Sequence, residues 1–286
     1  MERKNFIQGI GLVGIGALLP SKQGKSASPG GLEPYACTLT PQETEGPYPY
    51  NGTIETIYNT SAIYRVNLLG DLPVAGGGGT ISGGRTSGGG VVMTITLTLQ
   101  NQDCTPLAGG RVDIWHCDKR GYYSGYNSSQ NGGDWTSYTF LRGIQTTNSS
   151  GQVTFITIFP GWYIPRAIHF HINAYMSNTL LLTTQLALPD NICQAVNNTV
   201  YGRTYTYNNS TDQVFSGSTS ELALEMMTVS GDTTNGYVAS RTLTINYTAL
   251  PLKLLSFNAG FDSGKTSLWW TVAEATNVSH FEVEKR

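Results

Sequence analysis

The stretch 91–99 does most to limit what this chain can fold into. Val91, Met93, Ile95, Leu97 and Leu99 alternate with Thr94, Thr96 and Thr98. Period 2 sends successive side chains to opposite faces, and β-branched threonine suits a pleated backbone. The pattern recurs along the chain. In 110–116, Val112 and Ile114 alternate with Arg111 and Asp113, and 153–158 runs into the Pro160-Gly161 turn. In 168–175, Ile168, Phe170 and Ile172 alternate with His169, His171 and Asn173, as in a half-buried strand. A further strand is expected at 180–188, and 222–229 with 237–247 reads as a hairpin across 231–236. Only 191–197 looks weakly helical. Strands at this spacing, parted by Gly/Asn/Ser clusters, predict an all-β protein: an antiparallel β-sandwich with long irregular loops and little helix.

Charged residues make up only 13% of the 286, and the formal net charge of −2 gives no electrostatic case for nucleic acid. No apolar run reaches the roughly 18 residues of a spanning helix. The N-terminus carries Arg3 and Lys4, then an apolar Gly-rich stretch at 9–19, then Pro20-Ser21. That order describes an export signal and leader over 1–28, so the protein is expected outside the cytoplasm, periplasmic or extracellular. Arg3-Lys4-Asn5-Phe6-Ile7 resembles a twin-arginine signal with lysine in the second basic position. Residues 75–90 (AGGGGTISGGRTSGGG) read as a flexible loop; they lack the Gly-Lys-Ser/Thr of a phosphate cradle. Cys37, Cys104, Cys117 and Cys193 permit two disulfides in any of three connectivities, and their spacing suits no zinc ribbon. The texture changes after Tyr247. Residues 250–257 and 267–271 look like two strands of a new module, and 249–286 resembles a linker and the opening of a fibronectin-III-like module in secreted bacterial proteins.

The chemistry concentrates at Pro160-Gly161-Trp162-Tyr163-Ile164-Pro165-Arg166-Ala167-Ile168-His169-Phe170-His171, which holds two of only four histidines. On a strand, residues i and i+2 share a face with Cα atoms about 6–7 Å apart, because the rise is roughly 3.3 Å per residue. Two imidazoles on one rigid element begin a metal site. A pair of hydrogen-bonded histidines on a polar sheet face is the plainer reading of His-x-His alone.

Three blocks together resemble the intradiol ring-cleavage dioxygenases, the protocatechuate 3,4-dioxygenase family. They are Thr40-Pro41-Gln42-Glu43-Thr44-Glu45-Gly46-Pro47-Tyr48, the stretch 110–124 (GRVDIWHCDKRGYYS) and the stretch 140–171 (FLRGIQTTNSSGQVTFITIFPGWYIPRAIHFH). Their order and intervals also match, and the resemblance covers 37–248. It implies a non-haem iron(III) centre held by Tyr123, Tyr163, His169 and His171, with a catechol-type substrate and dioxygen as partners. The ring would open between its two hydroxylated carbons. Two phenolates and a hydroxide cancel the +3 charge, so the resting site can be neutral in a low-dielectric pocket. When a catechol binds as a dianion, one hydroxide and one phenolate must leave, and they can take the substrate's two protons. The resemblance assigns the leaving phenolate to Tyr163 and makes Arg166 the active-site arginine that stabilises developing negative charge. Gln185, Gly46, Pro47 and Tyr48 are expected at the substrate, and His116 is expected to be structural.

A cupin also uses His-x-His, but it needs a glutamate four or five residues after His171, where 172–176 supplies none. A non-catalytic exported sandwich, a carrier or adhesion module, is the second class. The substituent on the catechol and the oligomeric state are not readable from the chain.

Overall fold

Two four-stranded sheets carry the core. The computed structural model describes residues 37–49, 63–248, 254–262 and 264–272. The main strands are β1 (Val92–Asn101), β2 (Arg111–Trp115), β3 (Arg142–Thr146), β4 (Gln152–Ile158), β5 (His169–Met176), β6 (Thr179–Ala187), β7 (Thr228–Asp232) and β8 (Gly236–Ile245). One sheet runs in the order β6-β5-β2-β3, the other β7-β8-β1-β4. Each period-2 stretch becomes a strand. Met93, Ile95, Leu97 and Leu99 of β1 are fully buried, while the intervening threonines are half-exposed. They meet Val112, Ile114, Phe170, Ile172 and Ala174 of the other sheet in one apolar cluster. A buried Leu or Ile contributes about 1.5–3 kcal/mol, so this double row specifies the register of both sheets.

The structure departs from the expected antiparallel sandwich at one pair. β8 runs parallel to β1, with Tyr237 opposite Met93 and Ile245 opposite Asn101. The chain has left this sheet and returned to it, and a long connection permits either direction. The helix at 191–197 is present as α1 (Asp190–Thr199), with Asp190 in its first turn, where a negative charge complements the helix dipole. The expected hairpin loses its first half. Residues 219–225 form α2 (Thr219–Glu225), capped by Ser218 Oγ accepting from Glu221 N–H, and only β7 pairs with β8.

The Gly-rich 75–90 stretch is not the flexible loop expected. Gly88 N–H donates to Gly78 O at 2.9 Å, and Gly78 N–H to Pro73 O at 3.0 Å. A Cβ on Gly78 would stand 1.9 Å from Leu72 O. These glycines allow backbone to lie on backbone. Of the four cysteines, Cys37 and Cys104 form a disulfide, while Cys117 and Cys193 are buried free thiols. In the tail, β9 (Leu254–Asp262) and β10 (Lys265–Val272) form an antiparallel hairpin, near the two expected strands. The export signal at 1–28 lies outside the described residues. No helix among the described residues is long and apolar enough to cross a membrane.

Candidate active site

Strand β5 was expected to be half-buried, yet both its faces are covered. Phe170, Ile172 and Ala174 enter the core, while His169, His171 and Asn173 are buried on the opposite face. Register across the sheet lines up the neighbours on that face. Trp115 of β2 is opposite both His171 and Arg142, and Gln185 of β6 is opposite His171. The row therefore reads Arg142, Trp115, His171, Gln185. The Trp115 indole stacks on the His171 ring at 5.0 Å and 7°. Segments from 37–49, 116–140 and 205–215 cover the row, which explains its burial.

Four side-chain tips converge there. His169 Nε2 and His171 Nε2 are 3.0 Å apart. Tyr123 Oη is 3.2 Å from His171 Nε2, and Tyr163 Oη is 3.4 Å from His169 Nε2. Donors sharing one ion at roughly 2.0–2.2 Å, with angles of about 90–110°, stand about 2.8–3.6 Å apart. The spacing is that of ligands around a common cation. His169 Nδ1 lies 2.6 Å from the carbonyl of Ala167; a carbonyl only accepts, so Nδ1 carries the proton and Nε2 presents a lone pair. His171 Nδ1 is buried with no hydrogen-bond partner among the described residues. Away from Nε2 its ring is held by packing, against Trp115 and Gly46. No cluster of three or more His, Cys, Asp or Glu occurs among the described residues.

The electrostatics suit a cation. Burial, reinforced by the Arg166 charge, pushes His169 down to about 3. Burial, with His169 and Arg166 adding to it, holds His171 well below its usual value. Both rings are thus neutral at pH 7. Burial raises Tyr123 well above 10 and pushes Tyr163 up to about 12, so both phenols stay protonated unless a strong positive charge intervenes. The two differ in freedom. Tyr123 is fully buried, its backbone N–H donating to Asn131 Oδ1 and its C=O accepting from Asn131 Nδ2, both at 2.7 Å. Tyr163 is half-buried on a turn that continues into exposed Ile164 and Pro165.

Arg166 is 3% exposed. Its Nε donates to Asp212 Oδ2 at 2.9 Å and its Nη2 to Asp212 Oδ1 at 3.1 Å. Nη2 also donates to Gln185 Oε1 at 2.6 Å, while Nη1 reaches His169 Nε2 at 3.4 Å. Burial works against the charge on Arg166, but Asp212 more than offsets it and raises the guanidinium. Gln185, expected at the substrate, is committed at both ends, because its Nε2 donates to Thr44 O at 2.8 Å. Gly46 lies against the edge of His171. Tyr48 stacks on Tyr123 at 4.8 Å, and Pro47 between them is exposed. His116 stands apart, as expected: its ring nitrogens meet Cys117 O and Thr157 Oγ1 at 2.8 and 2.7 Å. Asp212 carries no motif that marks it as part of this site, while Trp115 and Arg142 lie within the blocks 110–124 and 140–171 but are not among the residues expected at the site. Arg142 joins it by donating from Nη2 to Tyr48 O at 3.0 Å.

A family model described as Dioxygenase matches residues 80–225, just over half of the chain. No curated protein sequence matches. Among solved structures, the crystal structure of a dioxygenase is 25% identical, with a TM-score of 0.56, covering 73% of this chain and 95% of that one. An intradiol ring-cleavage dioxygenase from Tetranychus urticae is 24% identical, with a TM-score of 0.57 and the same coverage. The latter likeness speaks for the fold, and the family model spans strand β5 with His169 and His171 and the loops that carry Tyr123 and Tyr163. The chain therefore belongs to the intradiol ring-cleavage dioxygenase family.

Proposed function

We propose that this protein cleaves a catechol-type ring between its two hydroxylated carbons, adding both atoms of dioxygen to give a dicarboxylic acid. The observation that carries this reading is the convergence of two phenols and two neutral imidazoles at 3.0–3.4 Å, beside a buried arginine. Iron(III) is the cofactor such a set fits, because phenolates favour a highly charged ion while a softer divalent metal favours thiolates. Tyr123, Tyr163, His169 and His171 would hold it. Bound there, the ion would lower the phenol pKa values and draw density from a catecholate so that the ring can react with dioxygen.

The chain's own groups divide the remaining work. Tyr163, the less buried of the two, would be a phenolate with the ion bound, and its Oη would then take one catechol proton and become the neutral phenol. Tyr123, locked by Asn131, stays in place. Arg166 Nη1 stabilises the negative charge that develops on substrate oxygen. Tyr48 and Gly46 form the wall over Tyr123 and His171 that keeps water out. The exported location and a fibronectin-III-like module at 249–286 belong to the same proposal.

Iron-loaded protein should be reddish, from phenolate-to-ferric charge transfer, with one iron per chain. It should consume oxygen with a catechol from a panel of substituted ones. Tyr163→Phe should keep iron and a shifted colour but bind catechol slowly in stopped-flow absorbance without oxygen. A colourless protein at full iron occupancy, or one that prefers zinc, would overturn the ligand assignment. A coloured protein inert to every catechol would favour the non-catalytic carrier.

A further inference from the structure

Asp212 lies 46 residues beyond Arg166 in sequence, directly after a short turn at Asn209–Thr211. A guanidinium holds five N–H donors in a rigid plane. Asp212 takes the Nε hydrogen, and Asp212 with Gln185 takes both hydrogens of Nη2. Nη1 is left directed at the site, 3.4 Å from His169 Nε2. Gln185 alone would allow the plane to rock about a single contact; the two-point grip of Asp212 stops that rotation. The same carboxylate accepts the backbone N–H groups of Ala167 at 2.6 Å, Val214 at 2.9 Å and Phe215 at 3.3 Å. This ties down the loop bearing Phe215, whose ring lies 5.8 Å from Arg166 Cζ and 6.4 Å from the His169 ring. Arg166 is thus held at one edge by Asp212 and against one face by Phe215.

We propose that Asp212 is the positioning residue of this active site, fixing the plane of Arg166 so that Nη1 alone is presented to the substrate. The inference rests on the ring-cleavage reading above and adds to it which residue gives the arginine its direction. Asp212 itself touches none of the four donors, so its effect should appear in turnover and not in metal binding.

Two measurements test this. In metal-free wild-type protein, the Arg166 Nε–H resonance, assigned by its loss in Arg166→Lys, should exchange with solvent far more slowly than that of a free arginine. Exchange as fast as free arginine would overturn the proposal without any Asp212 variant. In iron-loaded Asp212→Asn, which keeps an oxygen for the Val214 and Phe215 N–H groups, iron content and visible band should match wild type. Its KM for catechol should stay within about 2-fold while kcat falls about 10- to 100-fold, the range expected for a misaimed stabilising group. Adding Gln185→Glu returns a carboxylate to the other edge of the guanidinium and should recover part of kcat. An unchanged kcat, or a loss of iron in proportion to activity, would overturn the positioning role. If wild-type protein cleaves no catechol at all, the functional reading fails, and the exchange measurement still decides the hold of Asp212 on Arg166.

Discussion

Replacing Gly46 with alanine isolates one contact at the proposed metal site. Gly46 has φ +70, and a Cβ there would stand 3.0 Å from His171 Cε1, where ordinary contact begins at 3.4 Å. Two effects follow. The left-handed backbone costs a non-glycine residue about 1–2 kcal/mol of stability. The His171 ring must also give way by a few tenths of an ångström, beyond the roughly ±0.2 Å that metal–ligand bonds tolerate. With no hydrogen bond at Nδ1 to return it, the ring stays displaced. Disturbing the support of a ligand typically weakens metal binding about 10- to 100-fold, or about 1.4–2.8 kcal/mol. Gly202 is the control, because its φ is +63 and nothing lies within 4 Å of a Cβ there. Gly46→Ala and Gly202→Ala should lose similar stability in urea titrations of metal-free protein. In competition with a chelator followed by absorbance, only Gly46→Ala should release iron sooner. Equal iron retention in the two variants would refute the claim that packing against Gly46 holds His171 in place.

Two further outcomes follow from the fold. The disulfide between Cys37 and Cys104 spans 67 residues; by chain entropy it should contribute about 4 kcal/mol, so Cys37→Ser should lower the urea midpoint while leaving iron content unchanged. Glu225 is buried at the end of α2, and burial, with the charges of Glu43 and Glu221 adding to it, pushes its carboxyl up to about 8 from an ordinary 4.5. The folded state then binds more protons than the unfolded between those values, so stability is full below about pH 4.5 and falls as pH rises towards 8. Glu225→Gln should flatten the urea midpoint between pH 5 and 8; an unaltered slope would place the dependence elsewhere.

Much of the fold and of the site is legible in the amino-acid sequence. Alternation locates β1, β2, β4, β5 and β6 because each has one face in a shared core, and period 2 records that directly. The four convergent tips can be named because Tyr123, Tyr163, His169 and His171 lie in local motifs. Other features leave no such local trace. Asp212 matters through a partner 46 residues away, and nothing adjacent to it marks that pairing. The parallel pairing of β8 with β1 depends on the path of the chain between sheets, and the second burial of β5 depends on loops from elsewhere. Helix α2, expected as a strand, does have a readable signal: Ser218 and Glu221 have the Ser-x-x-Glu spacing of a helix start, which separates it from the hairpin.

Strand β5 gives one backbone two duties, with Phe170, Ile172 and Ala174 gripped by the interior and His169 and His171 turned outward to the donors. Any volume change inside is therefore transmitted through a stiff ribbon, over a single residue, to the ligand tips. Trimming Ile172 to valine would act like loosening a gauge block beneath an optical mount. The position and width of the visible band would register internal strain that melting curves average away. With iron in the proposed site, the colour would serve as a built-in gauge of how tightly the interior is packed.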